Sequence, residues 1–364
     1  MKIKVVSLIL AIVMMLGLFC SCEDKAKTDD SSSKNNVSSK TDEKNEPTTV
    51  DGKYLNNLTG CYEFETAEEA NSRPVAVMVN NLNIAQKVQT GLADASIVYE
   101  TVVEGGITRM LAIFKDVSKA GQIGTIRSAR YSYLDLANSH DALYFHCGAD
   151  VYYYEPYASQ LGADNIDINV GSNNKYGKRV KNGLASEHTM YSSGELISKA
   201  LSDKNRRTQL KAGSLHAENW QKFAPQDKTV TYSDGIATNA SVFFSASYIT
   251  SFKYDAESQK YVKSNKSGNN TDYKTGKPNS YKNVLILFAN VTDFEDKYHV
   301  KINLTSGEGY YLTNGTMKNI KWSKGNTDAS FKITDNNGQP VEFSAGNTYV
   351  CIPPKSVQSR TTVS

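Results

Sequence analysis

Only 5 cysteines, 2 tryptophans and a formal net charge of +3 are spread over the 364 residues, and each scarcity excludes something. Cys20 and Cys22 fall in the N-terminal leader, which leaves Cys61, Cys147 and Cys351 for the body, and an odd number cannot build a disulfide framework. One bridge among the three stays open. No Cys-x-x-Cys and no His/Cys spacing suits structural zinc, so no metal is expected. Without Lys2 and Lys4 of the leader, 39 of the 41 Lys and Arg face 38 Asp and Glu. That balance lacks the basic footprint of a nucleic-acid binder. Phosphate-loop, dinucleotide and nucleophile-elbow signatures are all absent, and no cofactor is expected.

What is present begins with the leader. Lys2 and Lys4 precede an apolar run from Val5 to Phe19 broken only by Ser7. The run is short for a membrane span but suits a secretory h-region of about 7–15 residues. Small residues follow, and Ser21 stands just before Cys22. Residues 1–22 therefore read as a lipoprotein signal peptide ending at a lipidated Cys22, anchored by acyl chains such as palmitate. Cys20, preceded by Phe19, is the poorer acceptor, and cleavage with free secretion is the alternative. From Glu23 to about Val50 the chain is Ser, Lys, Asp, Asn, Thr and Glu, too polar to offset the entropy of ordering it. Residues 23–53 are expected to be a disordered tether, spanning roughly 30 Å root-mean-square. The body then sits on the outer, extracytoplasmic face of the cell membrane.

The remaining length suits two domains. Short apolar runs at Pro74–Val79, Ile97–Val103, Ile107–Phe114, Gln122–Ile126 and Ala142–His146 read as strands. Ala129–Ser139 and Tyr152–Leu161 read as helices, and Ser192-Ser193-Gly194-Glu195 caps a third that runs through Leu201. After about Val230 helical periodicity disappears. Strands are expected at Ser241–Tyr248, Val284–Ala289, His299–Leu304 and Thr348–Ile352, with hairpin signals at Asn314-Gly315 and Asn336-Asn337-Gly338. The expected fold is a mixed α/β (α+β) N-terminal domain, residues 54–215, followed by a mainly β C-terminal domain, residues 216–364.

Arginine is scarce too, with eight in the chain, and three fall at 109, 127 and 130. Arg127 and Arg130 stand where a predicted strand turns into a helix, a place that offers free N–H groups and a positive dipole end. With guanidinium forks added, the segment can cradle a phosphate or carboxylate. The alternative is that these arginines pair internally with Glu100, Glu104 or Asp135. Gly105-Gly106 and Gly124 suit close backbone approach to a ligand and suit plain turns equally. His146 ends a predicted strand, followed by Cys147, Gly148, Ala149 and Asp150, where ligand groups collect in α/β sheets. Neighbouring strand residues point to opposite faces, so a catalytic Cys147 would need His188 rather than His146. Glu100, Glu104, Asp150 and Glu187 could supply the paired carboxylates of a glycan-cleaving enzyme. Seven tyrosines between Tyr131 and Tyr157 suit sugar or peptide faces as well as half-buried packing, whereas Trp220 and Trp322 read as packing.

Five linked segments carry a resemblance: Arg73-Pro-Val-Ala-Val-Met-Val-Asn-Asn, Ala95-Ser-Ile-Val-Tyr-Glu, Glu104-Gly-Gly-Ile-Thr-Arg, Gly124-Thr-Ile-Arg-Ser-Ala-Arg and Asp141-Ala-Leu-Tyr-Phe-His-Cys-Gly. In order and spacing they resemble the YerB-type lipoprotein family. Gly309-Tyr-Tyr-Leu-Thr-Asn-Gly and Gly346-Asn-Thr-Tyr-Val resemble that family's C-terminal domain, so the likeness runs from about residue 70 to 355. It implies a two-domain lipoprotein of unassigned activity. Thr125 stands where the family pattern has proline, and Cys147 where it has glycine. Thr108 to Phe114 and Ile123 to Arg130 are also similar to the LytR-CpsA-Psr type of glycopolymer transferase, which would make Arg109, Arg127 and Arg130 diphosphate ligands. The acidic residue that pattern places beside the first arginine is missing here.

The candidate ligand-binding set is Glu104, Arg109, Arg127, Arg130, His146, Asp150 and His188, with no catalytic residue assigned. The expected role is binding of an anionic or sugar-containing envelope component, with a cell-wall glycan or polyprenyl phosphate as candidate ligand. The membrane is contacted through the lipid anchor, nucleic acid is not a partner, and protein partners are unassigned. An enzyme acting on wall glycopolymers and a structural partner of another envelope protein are the rival classes.

Overall fold

The computed structural model describes residues 49–265 and 268–364. The expected signal peptide, Cys20, Cys22 and the expected tether up to residue 48 lie outside the described residues. Among the described residues, those from 49 onward belong to one compact unit. β structure starts earlier than the expected tether end at residue 53, because Thr49–Val50 pairs antiparallel with Lys53–Asn56. The cause is Asp51-Gly52, both at positive φ (51° and 73°), a two-residue hairpin turn of the Asp-Gly kind.

In the N-terminal part, β1 (Val75–Asn80), β2 (Ile97–Val102) and β3 (Thr108–Phe114) are buried at every position. Such unbroken burial marks strands covered on both faces. β3 lies antiparallel between the other two, with Arg109 opposite both Asn80 and Thr101. A short strand at Gln122–Gly124 leads, through a cis Gly124–Thr125 peptide, into α1 (Tyr131–Asn138). β4 (Leu143–His146), α2 (Tyr154–Leu161), β5 (Asn165–Asp167) and α3 (Gly194–Asp203) complete this part. β4 joins β1 in parallel and β5 joins β4 in parallel. The Ser193 hydroxyl accepts from the Leu196 N–H and caps α3, as the serine–glutamate signal requires.

The C-terminal part is mainly strands. β6 (Asn239–Ser245), β7 (Tyr248–Asp255) and β8 (Lys260–Asn265) form an antiparallel meander. The expected single strand Ser241–Tyr248 is therefore two strands, since the small residues Ala246-Ser247 make a tight turn. β9 (Asn283–Leu287), β10 (Ser306–Thr313) and β11 (Thr316–Ser323) follow, and Asn314-Gly315 closes the β10–β11 hairpin at φ 48° and 74°. β12 (Thr348–Ile352) pairs in parallel with β9 on one side and with β2 on the other.

That last pairing fuses the two parts. Among the described residues eleven strands form one sheet, whose central order is β11-β10-β9-β12-β2-β3-β1-β4-β5. Directly opposed residues share a face, so Glu100, Met110 and Cys351 lie together on one side. That side meets the β6–β8 sheet, as the Thr250 hydroxyl on β7 donating to Glu100 shows. The other side is covered by α1, whose buried Tyr133 hydroxyl sits 2.9 Å from the Thr101 carbonyl and 2.6 Å from the Arg109 carbonyl. Trp220 and Trp322 are both buried. The three body cysteines are free thiols.

Candidate functional site

β1, β2, β4 and β5 all end at one edge of the large sheet, and β3 begins there. The candidate set gathers along this edge, where α/β sheets collect ligand groups.

Arg109, the second residue of β3, is buried, and its Nη1 donates to the Ser128 carbonyl at 2.5 Å. Its Nε has no partner. Burial first, then Arg130 and, less, Arg127 pull its pKa down to about 10, while Glu104 opposes them. It stays charged at neutral pH, near enough to Arg130, Arg127 and Glu104 to feel their charges.

Glu104 follows β2 in a tight turn made possible by Gly105 and Gly106 at φ 66° and 68°. Its Oε1 accepts from Arg130 Nε at 2.5 Å, and Arg130 Nη1 also donates to the Ala129 carbonyl. The internal-pairing alternative thus describes Arg130 and Glu104. Together with Asp150 and His299 they border a cavity of about 10 Å³, room for about one water.

Arg127 sits differently. Its backbone is held between β1 and the segment after β4, through Arg127 N–H to Met78 O and Cys147 N–H to Arg127 O. The side chain is 21% exposed, its Nε is unpaired, and Nη2 lies 3.7 Å from Glu187 Oε1. The same Glu187 oxygen is 3.1 Å from His188 Nε2. Asn80 Nδ2 approaches His188 Nδ1 at 2.9 Å while Asn80 Oδ1 accepts from Leu82 N–H, which fixes the amide and makes Nδ1 an acceptor. His188 is then a neutral ring donating from Nε2 to Glu187. Burial lowers its pKa, Glu187 opposes, and Arg127 adds to the lowering.

The remaining candidates are held by internal bonds. His146 Nδ1 contacts the Gly148 carbonyl at 2.8 Å, and Nε2 contacts Asn165 and the Tyr154 hydroxyl at 3.3 and 3.2 Å. Asp150 accepts from the backbone N–H groups of Tyr152, Tyr153 and Tyr154 and so caps the approach to α2. It also lies 3.4 Å from His299 Nε2. The Cys147 thiol is pushed up in pKa by burial, with Arg179 beside it opposing. Glu100 is wholly buried, accepting from Asn81, Thr108, Thr250 and Tyr349, out of reach of a glycan.

His299, Arg179 and Asn80 are the members of this edge that the sequence reading assigned no role. The usable signal was the Asn80-Asn81 pair ending an apolar run. His299 comes from a hairpin more than 140 positions after Asp150, and Arg179 from a polar loop, and neither carries a local signal.

Two family models match the chain, both described as protein of unknown function (DUF3048): the N-terminal domain over residues 58–207 and the C-terminal domain over residues 240–350. The chain is 28% identical over 300 residues to the "Putative lipoprotein YerB" of Bacillus subtilis (strain 168), covering 82% of this chain and 85% of that protein. It also superposes on the crystal structure of YerB protein from Bacillus subtilis with a TM-score of 0.69 and 25% identity, over 86% of this chain and 100% of that one. With both domains present in order, and the relative matched over most of its length, the chain belongs to the YerB-type family.

Proposed function

We propose that this protein is a lipid-anchored envelope protein on the outer face of the cell membrane, and that it binds a phosphate or carboxylate group of an envelope component at the arginine edge. Anchoring through Cys22 rests on the leader and on the relative's description as a lipoprotein. Binding rests on one observation: Arg109, Arg127 and Arg130 share a cluster in which the buried Nε groups of Arg109 and Arg127 have no partner. Buried donors without acceptors are costly, and an incoming anion would satisfy them. Three cations face two acids, and those acids differ. Glu104 is buried and tightly paired, whereas Glu187 is 56% exposed and loosely held. Arg127 is thus the exposed end of the cluster and the point of entry.

Binding is favoured over glycan cleavage because the buried acids at the edge, Glu104 and Asp150, are already committed, and the exposed Glu187 finds no free acid partner among them. Glu104 is paired to Arg130, Asp150 caps a helix, and Glu187 bridges Arg127 and His188.

Thermal unfolding of residues 47–364 with inorganic phosphate, undecaprenyl phosphate, teichoic-acid fragments and muropeptides tests this reading. A ligand at 100 times its Kd stabilises by about 2.7 kcal/mol. A saturable shift with a phosphorylated compound, abolished in Arg127→Ala, is expected. No shift with any of them would mean that the arginines serve only the fold.

A further inference from the structure

α1 turns one face away from the core. Tyr131, Asp135 and Asn138, at i, i+4 and i+7, are its half-exposed residues, while Tyr133, Leu134, Leu136 and Ala137 are buried. Tyr131 and Asp135 border a cavity of about 800 Å³, and Asn138 borders a second of about 890 Å³. Both cavities share Asn326 and Thr327, so together they make one groove running the length of the helix. The wall facing α1 is the antiparallel hairpin Asn290–Asp293 and Val300–Asn303.

We propose that this groove binds an uncharged oligosaccharide. Asn290, Thr292, Asn303 and Thr305 present side-chain amides and hydroxyls to it, groups that both donate and accept, as a hydroxyl-dense ligand requires. Each cavity lies within the range of about 300–1,000 Å³ typical of ligand pockets. The walls are fixed beforehand. Tyr131 stacks on Tyr157 at 4.2 Å and meets the edge of Phe294 at 5.3 Å, and the Tyr157 hydroxyl donates to Asp135. Lys324 is buried and donates to the Asn326 and Thr327 carbonyls, which sets the shared loop. Such rigidity lowers the cost of binding.

Charge decides against a polyanion. Lys324 is consumed by the loop, which leaves Lys301 against Asp135 in the first cavity. In the second, Arg73 and Arg207 are already paired with Asp164 and Asp141, and Lys211 is matched in number by Asp328. In the first cavity a peptide is disfavoured because the apolar wall residues Ile302 and Leu304 are buried and leave no pit for a side chain; the second is bordered by the exposed Leu161 and Leu215. Tyr131 also borders the cavity of Glu104 and Arg130, so the groove starts where the arginine edge ends. It goes beyond the anion reading and does not depend on it.

Calorimetric titration of residues 47–364 with chitotetraose and maltotetraose tests the groove, alongside Asn290→Ala/Lys301→Ala and Arg127→Ala. Saturable binding of an oligosaccharide is expected, about tenfold weaker in the double variant, with an unchanged melting temperature, and unaffected by Arg127→Ala. No heat at millimolar sugar overturns the proposal. Equal binding in wild type and double variant, or loss in Arg127→Ala, overturns it as well by moving the sugar elsewhere. Displacement of the sugar by an uncharged tetrapeptide would make the groove a peptide site instead. Loss of phosphate binding in the anion screen, with sugar binding intact, would overturn the anion reading alone.

Discussion

The Tyr349 hydroxyl donates to Glu100 Oε2 at 2.6 Å, joining residues 249 positions apart. It ties β12 to β2 through side chains as well as through the ladder. Around it, Thr250 from β7 also donates to Glu100, and Lys263 from β8 lies wholly buried over the Tyr349 ring with no hydrogen-bond partner for its Nζ. The junction of the two sheets is a polar core inside an apolar one.

The two charges at this junction are expected to respond oppositely. Glu100→Ala removes a carboxylate with four donor residues and strands them, a loss of about 3–5 kcal/mol in urea unfolding. Lys263→Met swaps an unpartnered buried amine for an apolar chain of similar length and should be neutral or stabilising. A large loss in Lys263→Met would mean that the amine is a working partner of Glu100.

Lys115 offers a pH test. Its side chain is 2% exposed without a hydrogen-bond partner, and burial pulls its pKa down to about 8. The unfolded chain, with an ordinary lysine, binds more protons from about pH 8 to 10.5. Stability contributed by this group therefore rises with pH across that window, by about 3 kcal/mol in all, and is flat below it. Lys115→Met should be more stable than wild type at pH 7 by a similar amount. The difference should shrink to under about 1 kcal/mol near pH 10, as paired denaturation curves at the two pH values would reveal.

His140 works at the acid end. It is fully buried against the Tyr99 hydroxyl at 2.8 Å, and burial lowers its pKa to about 3. Here the unfolded state holds the extra proton between pH 6.5 and 3. Stability is complete above 6.5 and is lost as pH falls, by at most about 5 kcal/mol. His140→Gln, which keeps a hydrogen-bonding group for Tyr99, should flatten the acid limb of the stability profile. An unchanged limb would assign acid unfolding to the carboxylates.

At the arginine edge, Glu187 holds the place an incoming anion would take, 3.7 Å from Arg127. Glu187→Gln removes that competitor, and phosphate affinity should rise by up to about fivefold, the worth of an exposed ion pair. Weaker binding in this variant would show that Glu187 orients Arg127 rather than blocking it.

Strands β1 to β4 were legible because β-branched runs announce themselves locally, and Thr348–Ile352 was read to the residue, whereas β5, β8, β10 and β11 were not read as strands. The neighbours of Thr348–Ile352 in the sheet were not legible, since pairing in parallel with Ile97–Val102 joins segments with nothing between them that a local pattern encodes. The break at Ala246-Ser247 was hidden by apolar residues on both sides of a short turn. At the edge, Arg109, Arg127 and Arg130 stood out by scarcity, and Glu104 by its place after a strand. That Arg130 would be neutralised by Glu104, and Arg127 set loosely against the exposed Glu187, depends on side-chain geometry. The groove along α1 was half visible: Tyr131 was noted among the tyrosines, but its opposite wall is built more than 150 residues later.

The central place of β12 has a consequence for how the chain matures. β2 carries Glu104 at its end, yet its outer edge stays bare until the segment from Thr348 to Ile352 has arrived. Such long-range closure makes for a slow, all-or-none assembly rather than one that advances module by module. A nascent or clipped chain lacking its last few dozen residues would keep the seven edge residues in place along its sequence. It would still fail to hold them together, with an open strand inviting aggregation. If the arginine edge binds an anion as proposed, a nonsense mutation far from it is expected to abolish that binding as Arg127→Ala would.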